Sequence, residues 1–379
     1  MPATTKKQPD TGLTLTKATE VGRVVVKFGG LILVVLMVGR LLVNSFVAFW
    51  IATHPEPPPP PTQGFGALPA LDFGTGGSAI SPESYKLELA ESFPLFPDRA
   101  MVYLIPKSQI GLLSLEEAKV TAAKMGFQTE PVALDSERYR WRRSGEINAT
   151  LELNIVTNNF EYATDYLSRP EAQVKNELPD TFDAVQTVKL FLKTSDLLPA
   201  DIATAAGQTQ FLKISGGALK EAVSLSDAQV IRVNLFRVLP FGESSYTSDG
   251  KTGLISATVA SINGKATVIE LNRMYEPIEY QLGHTYPLRT VEEAWQLLKA
   301  GEGFIANAQR EDLATIRAVS LGYFEILDQL YLQPVFVFTG DDGFVGFVPA
   351  LDPSAQFAPD PPPVRAQPAS SAQPGTIEL

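Results

Sequence analysis

The chain has 379 residues, of which 31 are basic and 42 are acidic, and its net charge is −11. Residues 1–27 hold five basic and two acidic residues and Arg40 follows, so 25 basic and 40 acidic residues lie beyond residue 52, a charge of −15. This acidic body excludes nucleic acid as a partner, because binding it depends on neutralising phosphates. The absence of cysteine excludes disulfides, thiol catalysis and cysteine-ligated metals.

The longest apolar stretch is 24–52, and we interpret it as a single transmembrane helix. As a helix it would be about 43 Å long, more than the roughly 30 Å apolar core of a bilayer. The apolar core of a cleaved signal peptide is only about 7–15 residues long, so an uncleaved anchor is favoured. Basic residues precede the run in a cytoplasmic tail, 1–23, and 53–79 contains no lysine or arginine. The positive-inside rule therefore places the main body outside the cell membrane, as in a bacterial envelope protein.

One basic residue, Arg40, lies near the middle of the predicted span. A charge at this depth costs on the order of 3 kcal/mol and usually faces a partner or a water-filled cavity. Asn44 lies one helical turn later on the same face, and Gly39 would let a second helix approach closely. Arg40, Asn44 and Gly39 are therefore the candidate contacts with a partner inside the membrane. The alternative is that the span is shifted or tilted and Arg40 extends toward the interface.

Proline and glycine mark the linkers of the chain. Prolines 57–61 favour a stiff extended segment and the glycine-rich part that follows adds flexibility, so 53–81 is interpreted as a stalk. The proline-rich C-terminal tail, 352–379, is predicted to be disordered. Between these linkers we expect two folded lobes, 82–170 and 178–351.

Strands are predicted where apolar and polar residues alternate or where β-branched and aromatic residues are frequent. The predicted strands are 99–105, 128–134, 138–143, 147–156, 210–214, 229–239, 254–262, 266–275, 313–323, 332–338 and 344–349. Asn263 and Gly264 predict a tight hairpin between two of them. In the basic strand 138–143, we favour a solvated face with Tyr139 and Trp141 directed inward over a site for an anionic ligand.

Helices are predicted where an apolar stripe follows a capping residue. The three predicted helices, with their capping residues, are 115–125 (Ser114 and Glu117), 182–192 (Asp180 or Thr181) and 291–298 (Thr290 and Glu293). The predicted fold class is α+β, in which a single N-terminal transmembrane helix is followed by two exterior lobes of antiparallel sheet with packed helices.

Two segments, 114–118 and 290–294, share the pattern Ser/Thr-x-Glu-Glu-Ala and precede predicted antiparallel strands. This layout resembles the PepSY-type module, a small helix-on-sheet domain found outside bacterial membranes. A second resemblance is carried by Ala294, Trp295, Leu298, Gly301, 319–324, 332–336 and 347–350. These residues resemble the end of the YycI/YycH family, membrane-anchored exterior proteins that regulate a cell-wall-responsive sensor histidine kinase. The resemblance implies no catalytic residues, and the proline stalk and C-terminal tail depart from it.

Residue types that support catalysis or metal binding are sparse. The histidines are His54 and His284, too few for a histidine metal site, and the phosphate-loop-like segment 250–252 has Ser245 where that motif needs glycine. We predict no catalytic, cofactor-binding or metal-ligating residue. We expect the protein to act through contacts with a membrane or envelope protein. The candidate roles are regulation of a sensor histidine kinase and envelope assembly. The alternatives are an exterior enzyme that cleaves cell-wall polymers with paired carboxylates and a ligand-binding sensor with a closed apolar pocket.

Overall fold

The structure, a computed structural model, describes Arg23, Met37, Gly39, Arg40 and Val43 and then residues 60–169 and 178–357. The chain divides into two compact units, Met1–Pro60 and Pro61–Leu379. In the first unit Arg23, Met37, Gly39, Arg40 and Val43 are helical, and the rest of the predicted span 24–52 lies outside the described residues. Within the described residues, no helix is both long enough and apolar enough to cross a membrane.

The second unit is an α+β structure that consists mainly of two sheets with few helices. In spatial order the nine-stranded sheet contains β3 (Val132–Ala133), β4 (Arg138–Arg143), β5 (Ala149–Asn154), β6 (Phe160–Thr164), β12 (Lys265–Arg273), β11 (Ile255–Ile262), β9 (Val230–Leu235), β7 (Gln208–Ser215) and β8 (Ala218–Glu221). The eight-stranded sheet contains β1 (Ser84–Leu87), β15 (Leu313–Phe324), β16 (Tyr331–Gly340), β17 (Val345–Pro349) and β14 (Phe304–Asn307), with β10 (Ser245–Tyr246), β2 (Arg99–Leu104) and β13 (Glu279–Pro287) off this path. The helices are α1 (Ser114–Lys124), α2 (Thr181–Thr194), α3 (Ala200–Ala203) and α4 (Val291–Lys299).

Two helix-plus-meander units lie side by side in the nine-stranded sheet, whose strand pairs are antiparallel. Strands β3 to β6 follow α1, while β7, β9, β11 and β12 follow α2, and the units join where β6 pairs with β12. Residues of both helices, among them Ala122 and Val188, share one apolar core with Trp141 of β4. The predicted lobes 82–170 and 178–351 therefore contribute strands to one continuous sheet.

The eight-stranded sheet carries α4 on one face, where the ring of Trp295 lies 6.0 Å from that of Phe338. Strands β1 and β10 run parallel to β15, and β2 pairs with both β13 and β16. After α4 the strand order is β15-β16-β17-β14, whereas the strands after α1 pair in chain order. The unit that most resembles the α1 unit in topology is thus the one opened by α2.

Local capping patterns predicted helix starts with mixed success. The predicted Thr290 capping box of α4 is confirmed. Of the two residues predicted as the cap of α2, Asp180 is the cap, and its side chain accepts a hydrogen bond from the Asp183 backbone N–H at 2.7 Å. The prediction for α1 is wrong in its cap: the helix begins at Ser114 itself, after Leu113, without a side-chain cap. The Ser114 hydroxyl instead accepts a hydrogen bond from the Gly111 backbone N–H at 2.9 Å, which closes the preceding turn.

Residues 62–81, which the sequence pattern assigns to the stalk 53–81, pack against the body. Leu68 is fully buried, and its backbone N–H donates to the Ala355 carbonyl at 2.9 Å. The ring of Phe73 stacks on Phe304 at 4.8 Å. Apolar side chains recur along this glycine-rich segment. Packing against the body removes their apolar area from water, whereas a solvated stalk would leave it exposed, and burial of apolar area is the main favourable contribution to folding.

Candidate functional site

A groove opens where the two sheets meet, beside the C-terminal ends of β12 and β15. It contains two cavities that share Met274, Glu276 and Leu327, and we call it the junction groove. The first, the apolar cavity, has a volume of about 370 Å³. The second, the polar cavity, has a volume of about 380 Å³. Both volumes lie within the ~300–1,000 Å³ typical of small-molecule pockets.

The two cavities differ in chemistry. The apolar cavity is walled by side chains from four parts of the chain: Phe73, Leu254, Met274, Ile326 and Leu327. The polar cavity is lined by five acidic and two basic residues, which are Glu137, Glu152, Glu161, Glu276, Asp328, Arg138 and Arg273. A ligand that fills both cavities would therefore need an apolar part and a polar part that can lie beside acidic side chains.

A buried ion cluster around Arg237 forms the floor of this junction. Arg237 is 1% exposed, and its Nη2 donates to Glu325 Oε1 at 2.5 Å and to the Glu276 carbonyl at 2.6 Å. Its Nη1 donates to Asp201 Oδ2. The guanidinium carbon also lies 4.4 Å from the centre of the Tyr275 ring, within reach of a cation–π contact.

Two tyrosines complete the shell around Asp201. The hydroxyl of Tyr275 donates to Asp201 Oδ1 at 3.0 Å, and that of Tyr280 donates to Oδ2 at 2.8 Å. Burial raises the pKa of Tyr275 to about 12 and also raises that of Tyr280, so both hydroxyls keep their protons at neutral pH. Each therefore acts as a hydrogen-bond donor that compensates the Asp201 carboxylate.

The cluster balances opposing electrostatic effects. Burial alone would lower the pKa of Arg237, but the charges of Glu325 and Asp201 outweigh it and raise that pKa, so the guanidinium stays charged. Burial raises the pKa of Glu325, and the bidentate contact with Arg237 opposes this rise. Because the arginine faces both carboxylates, its removal would leave uncompensated charge in the interior.

Glu276 is the carboxylate that borders both cavities. Its Oε2 accepts a hydrogen bond from the Asp328 backbone N–H at 3.1 Å, and in the described part of the chain its Oε1 has no hydrogen-bond partner. Burial raises the pKa of Glu276, while Lys107 acts in the opposite direction. Glu276 is therefore a half-buried acid that is held in position and has one oxygen available to a ligand.

The residues predicted as intramembrane contacts lie in the first unit. Gly39 and Arg40 are helical, the Arg40 side chain is exposed, and a Cβ at Gly39 would meet no atom within 4 Å. Asn44 lies outside the described residues. The predicted role of these three residues inside the membrane stays a prediction.

Two other sequence features have structural roles. His284 contacts the docked segment 62–81, since its Nδ1 lies 3.3 Å from Thr62 Oγ1 and its ring lies 4.7 Å from that of Phe65. In the phosphate-loop-like segment, Asp249 Oδ1 accepts hydrogen bonds from the backbone N–H groups of Lys251 and Thr252, which closes a turn. In the part of the chain that the structure describes, no group of three or more acidic or histidine side chains could hold a metal ion.

Sequence reasoning missed the ion cluster because its members are distant along the chain. Arg237 is 36 positions from Asp201 and 88 positions from Glu325. A signal was present, since Arg237 and Glu325 each interrupt a run of apolar residues, and a charge in such a run is buried with a partner. No family model, curated protein or solved structure matches this chain.

Proposed function

We propose that this chain is a membrane-anchored extracytoplasmic binding protein that acts through contacts with a membrane or envelope protein, and that the junction groove is its binding surface. The observation that carries the proposal is the groove itself, where an apolar and a polar cavity meet at Glu276, a fixed acid with one available oxygen. The anchor and the exterior location rest on the apolar run 24–52 and its flanking charges.

The Arg237 cluster supports binding because it gives the groove a fixed shape. Its hydrogen bonds join α3, the end of β12 and the end of β15, so that the walls contributed by the two sheets are tied together. A buried ionic network contributes to conformational specificity in some proteins more than to net stability. A preformed groove loses less conformational entropy when a partner binds.

The finer role follows from the sequence resemblance rather than from the groove. Regulation of a sensor histidine kinase is the role that the YycI/YycH-like segments suggest, and assembly of the envelope is its competitor. Either role needs a protein partner in or near the membrane, to which Arg40, Asn44 and Gly39 would contribute inside the bilayer. The identity of the captured partner decides between them.

Site-specific photo-cross-linking of the full chain in native membranes tests the proposal. A photoreactive residue is placed at Thr75 or Leu327, two exposed positions in the groove, and at the control positions Val223 and Lys265, which are exposed elsewhere. We expect the groove positions to capture a membrane or envelope protein and the control positions not to capture it. Capture of no protein, or of the same proteins from all positions, would contradict a binding role for the groove.

A ligand-binding sensor is the second candidate, and the volume of about 370 Å³ of the apolar cavity favours it. Native mass spectrometry of the purified full chain would then detect a retained small molecule. The substitution Leu327→Trp, at a side chain that is 40% exposed, would occupy the mouth of the cavity and abolish retention. A chain that carries no small molecule would count against this candidate.

A further inference from the structure

Building on the proposed function, we propose that the junction groove binds an extended peptide segment of the partner protein. An aliphatic side chain of this segment enters the apolar cavity, and a lysine or arginine side chain of the same segment enters the polar cavity. Glu276 binds the cation. The partner is thus recognised by one apolar and one basic side chain on the same face of an extended strand.

The charge distribution around the groove favours a cation over an anion. The polar cavity has five acidic and two basic lining residues. Its arginines are engaged: Arg138 Nε donates to Asp135 Oδ2 at 2.7 Å, and Arg273 Nη1 donates to the Asn158 carbonyl at 3.1 Å. Two of the acids are also paired, Glu152 with Arg140 at 2.6 Å and Asp328 with Lys107 at 3.1 Å. Among the described residues, Glu137, Glu161 and Glu276 form no ion pair, and their charge is complementary to a basic side chain and opposed to an acidic one.

Among the acids of the groove, Glu276 is the one placed to bind a cation at the boundary of the cavities. Glu325 also borders the apolar cavity, but both of its oxygens already accept hydrogen bonds from Arg237 Nε at 3.1 Å. Glu276 Oε1 has no such partner in the described residues, while the Asp328 N–H holds Oε2. A cation at Oε1 would make a charge-assisted hydrogen bond in a half-buried setting, where such bonds are strong.

The division into two cavities fits a strand better than a single small molecule. In an extended peptide, side chains two residues apart lie on the same face about 6.6–6.8 Å from each other. Two adjacent cavities with shared walls can therefore receive such a pair of side chains from one segment. The shared walls are Met274, Glu276 and Leu327, so the basic and the apolar side chain would both contact them.

Methionine methyl NMR of the full chain in detergent micelles tests this inference. Met274 borders both cavities, whereas Met101 and Met125 line neither of them and serve as internal controls. The probe is the peptide acetyl-Ala-Leu-Ala-Lys-Ala amide, compared with the same peptide that has glutamine in place of lysine. We expect a saturable shift of the Met274 signal alone, with the lysine peptide bound at least about tenfold more tightly.

Variants of the chain test whether Glu276 is the acid that binds the lysine side chain. Glu276→Gln keeps an acceptor for the Asp328 N–H and should remove the preference for lysine, while the control Glu292→Gln, an exposed change on α4, should retain it. The inference is overturned by an unmoved Met274 signal, by equal affinity for both peptides, by an unchanged preference in Glu276→Gln, or by 3-methylbutylamine alone binding as tightly as the peptide. Partner capture from Thr75 together with an unmoved Met274 signal would leave the proposed function in place and overturn this inference alone.

Discussion

At the scale of single residues, two arginines in the described residues each bridge two carboxylates, in different surroundings. Arg237 is buried and binds Asp201 and Glu325. The Arg317 side chain is 50% exposed and binds Glu88 at 2.6 Å and Asp341 at 2.7 Å. Comparing them separates the effect of burial from that of pairing, because the number of partners is the same.

Replacing these arginines should therefore have unequal effects on stability. Arg237→Met should lower the free energy of unfolding by about 3–5 kcal/mol, because two carboxylates would stay in the interior without their counter-ion. Arg317→Met should lower it much less, since water solvates the released acids. Urea unfolding of the full chain, followed by tryptophan fluorescence, measures both. Equal losses would show that burial of the Arg237 cluster is unimportant.

Glu276 should show a pH effect on stability with a definite sign. Burial holds its pKa in the folded chain above the ordinary value of 4.5, so the folded state binds this proton more tightly than the unfolded state does. The resulting stabilisation is full below pH 4.5 and is lost as the pH rises through the folded-state pKa. Above that pKa the ionised carboxylate lowers the stability of the folded chain, as expected for an acid placed to bind a ligand.

The isosteric change Glu276→Gln removes this titration. The stability of the variant minus that of the unchanged chain should be larger at pH 7 than at pH 4. Urea unfolding midpoints of both chains at the two pH values measure this difference. The Glu292→Gln variant, changed at an exposed position of α4, supplies the matched control. A stability difference between the variant and the unchanged chain that favours the variant less at pH 7 than at pH 4 would contradict the predicted sign.

At the scale of secondary-structure elements, two identical-looking capping patterns differ in what they do. The Thr290 side chain accepts a hydrogen bond from the Glu293 N–H at 3.2 Å, and the Glu293 side chain accepts one from the Thr290 N–H at 2.9 Å. Ser114 makes no capping bond for α1. The physical difference is backbone conformation, since Thr290 is extended with φ −73° and ψ 155°, whereas the residue before Ser114 is already near the helical region.

The threonine and serine should respond differently to removal of the hydroxyl. Thr290→Ala should lower the free energy of unfolding by about 1 kcal/mol, because a backbone donor loses its partner. Ser114→Ala loses only an exposed hydrogen bond from Gly111, so its effect should stay within about 0.5 kcal/mol. Chemical denaturation of both variants checks the difference. Losses of similar size would mean that α1 depends on Ser114 as a cap.

Elements with a complete local signal were predictable from the sequence, and those that depend on distant contacts were not. Asn263 and Gly264 both adopt the positive φ that their hairpin requires, at 53° and 75°, as their residue types predict. By contrast the sequence does not predict β13: Tyr280, Leu282 and Tyr286 stand at alternate positions, but Gly283 and His284 interrupt the pattern, and the strand is stabilised by pairing with β2 more than 170 positions away. The junction groove is unpredictable for the same reason, because its lining comes from distant segments, among them 62–81, 137–161 and the residues at and after the ends of β12 and β15.

At the scale of the whole second unit, the segment 62–81 belongs to the folded body. Its residues join the cores on the eight-stranded sheet: Leu68 lies with Val102 and Tyr286, and Phe73 lies among the phenylalanines of β14, β15 and β17. The same segment supplies one wall of the apolar cavity through Phe73. The folded body therefore includes the glycine-rich segment 62–81 and does not begin after it, as the sequence pattern predicts.

Two leucines test whether this segment is a structural part of the body. Leu68 is 0% exposed and Leu95 is fully exposed, so the same substitution probes both surroundings. Leu68→Ala should lower the free energy of unfolding by about 2–5 kcal/mol, since it removes buried methyl groups and leaves a cavity, while Leu95→Ala should change it by less than about 0.5 kcal/mol. In limited proteolysis, the Leu68→Ala chain should be cut within 62–81 at protease concentrations that leave the Leu95→Ala chain intact. A Leu68→Ala chain with unchanged stability and unchanged cleavage would make the segment an independent stalk, and the apolar cavity would then lose one of its walls.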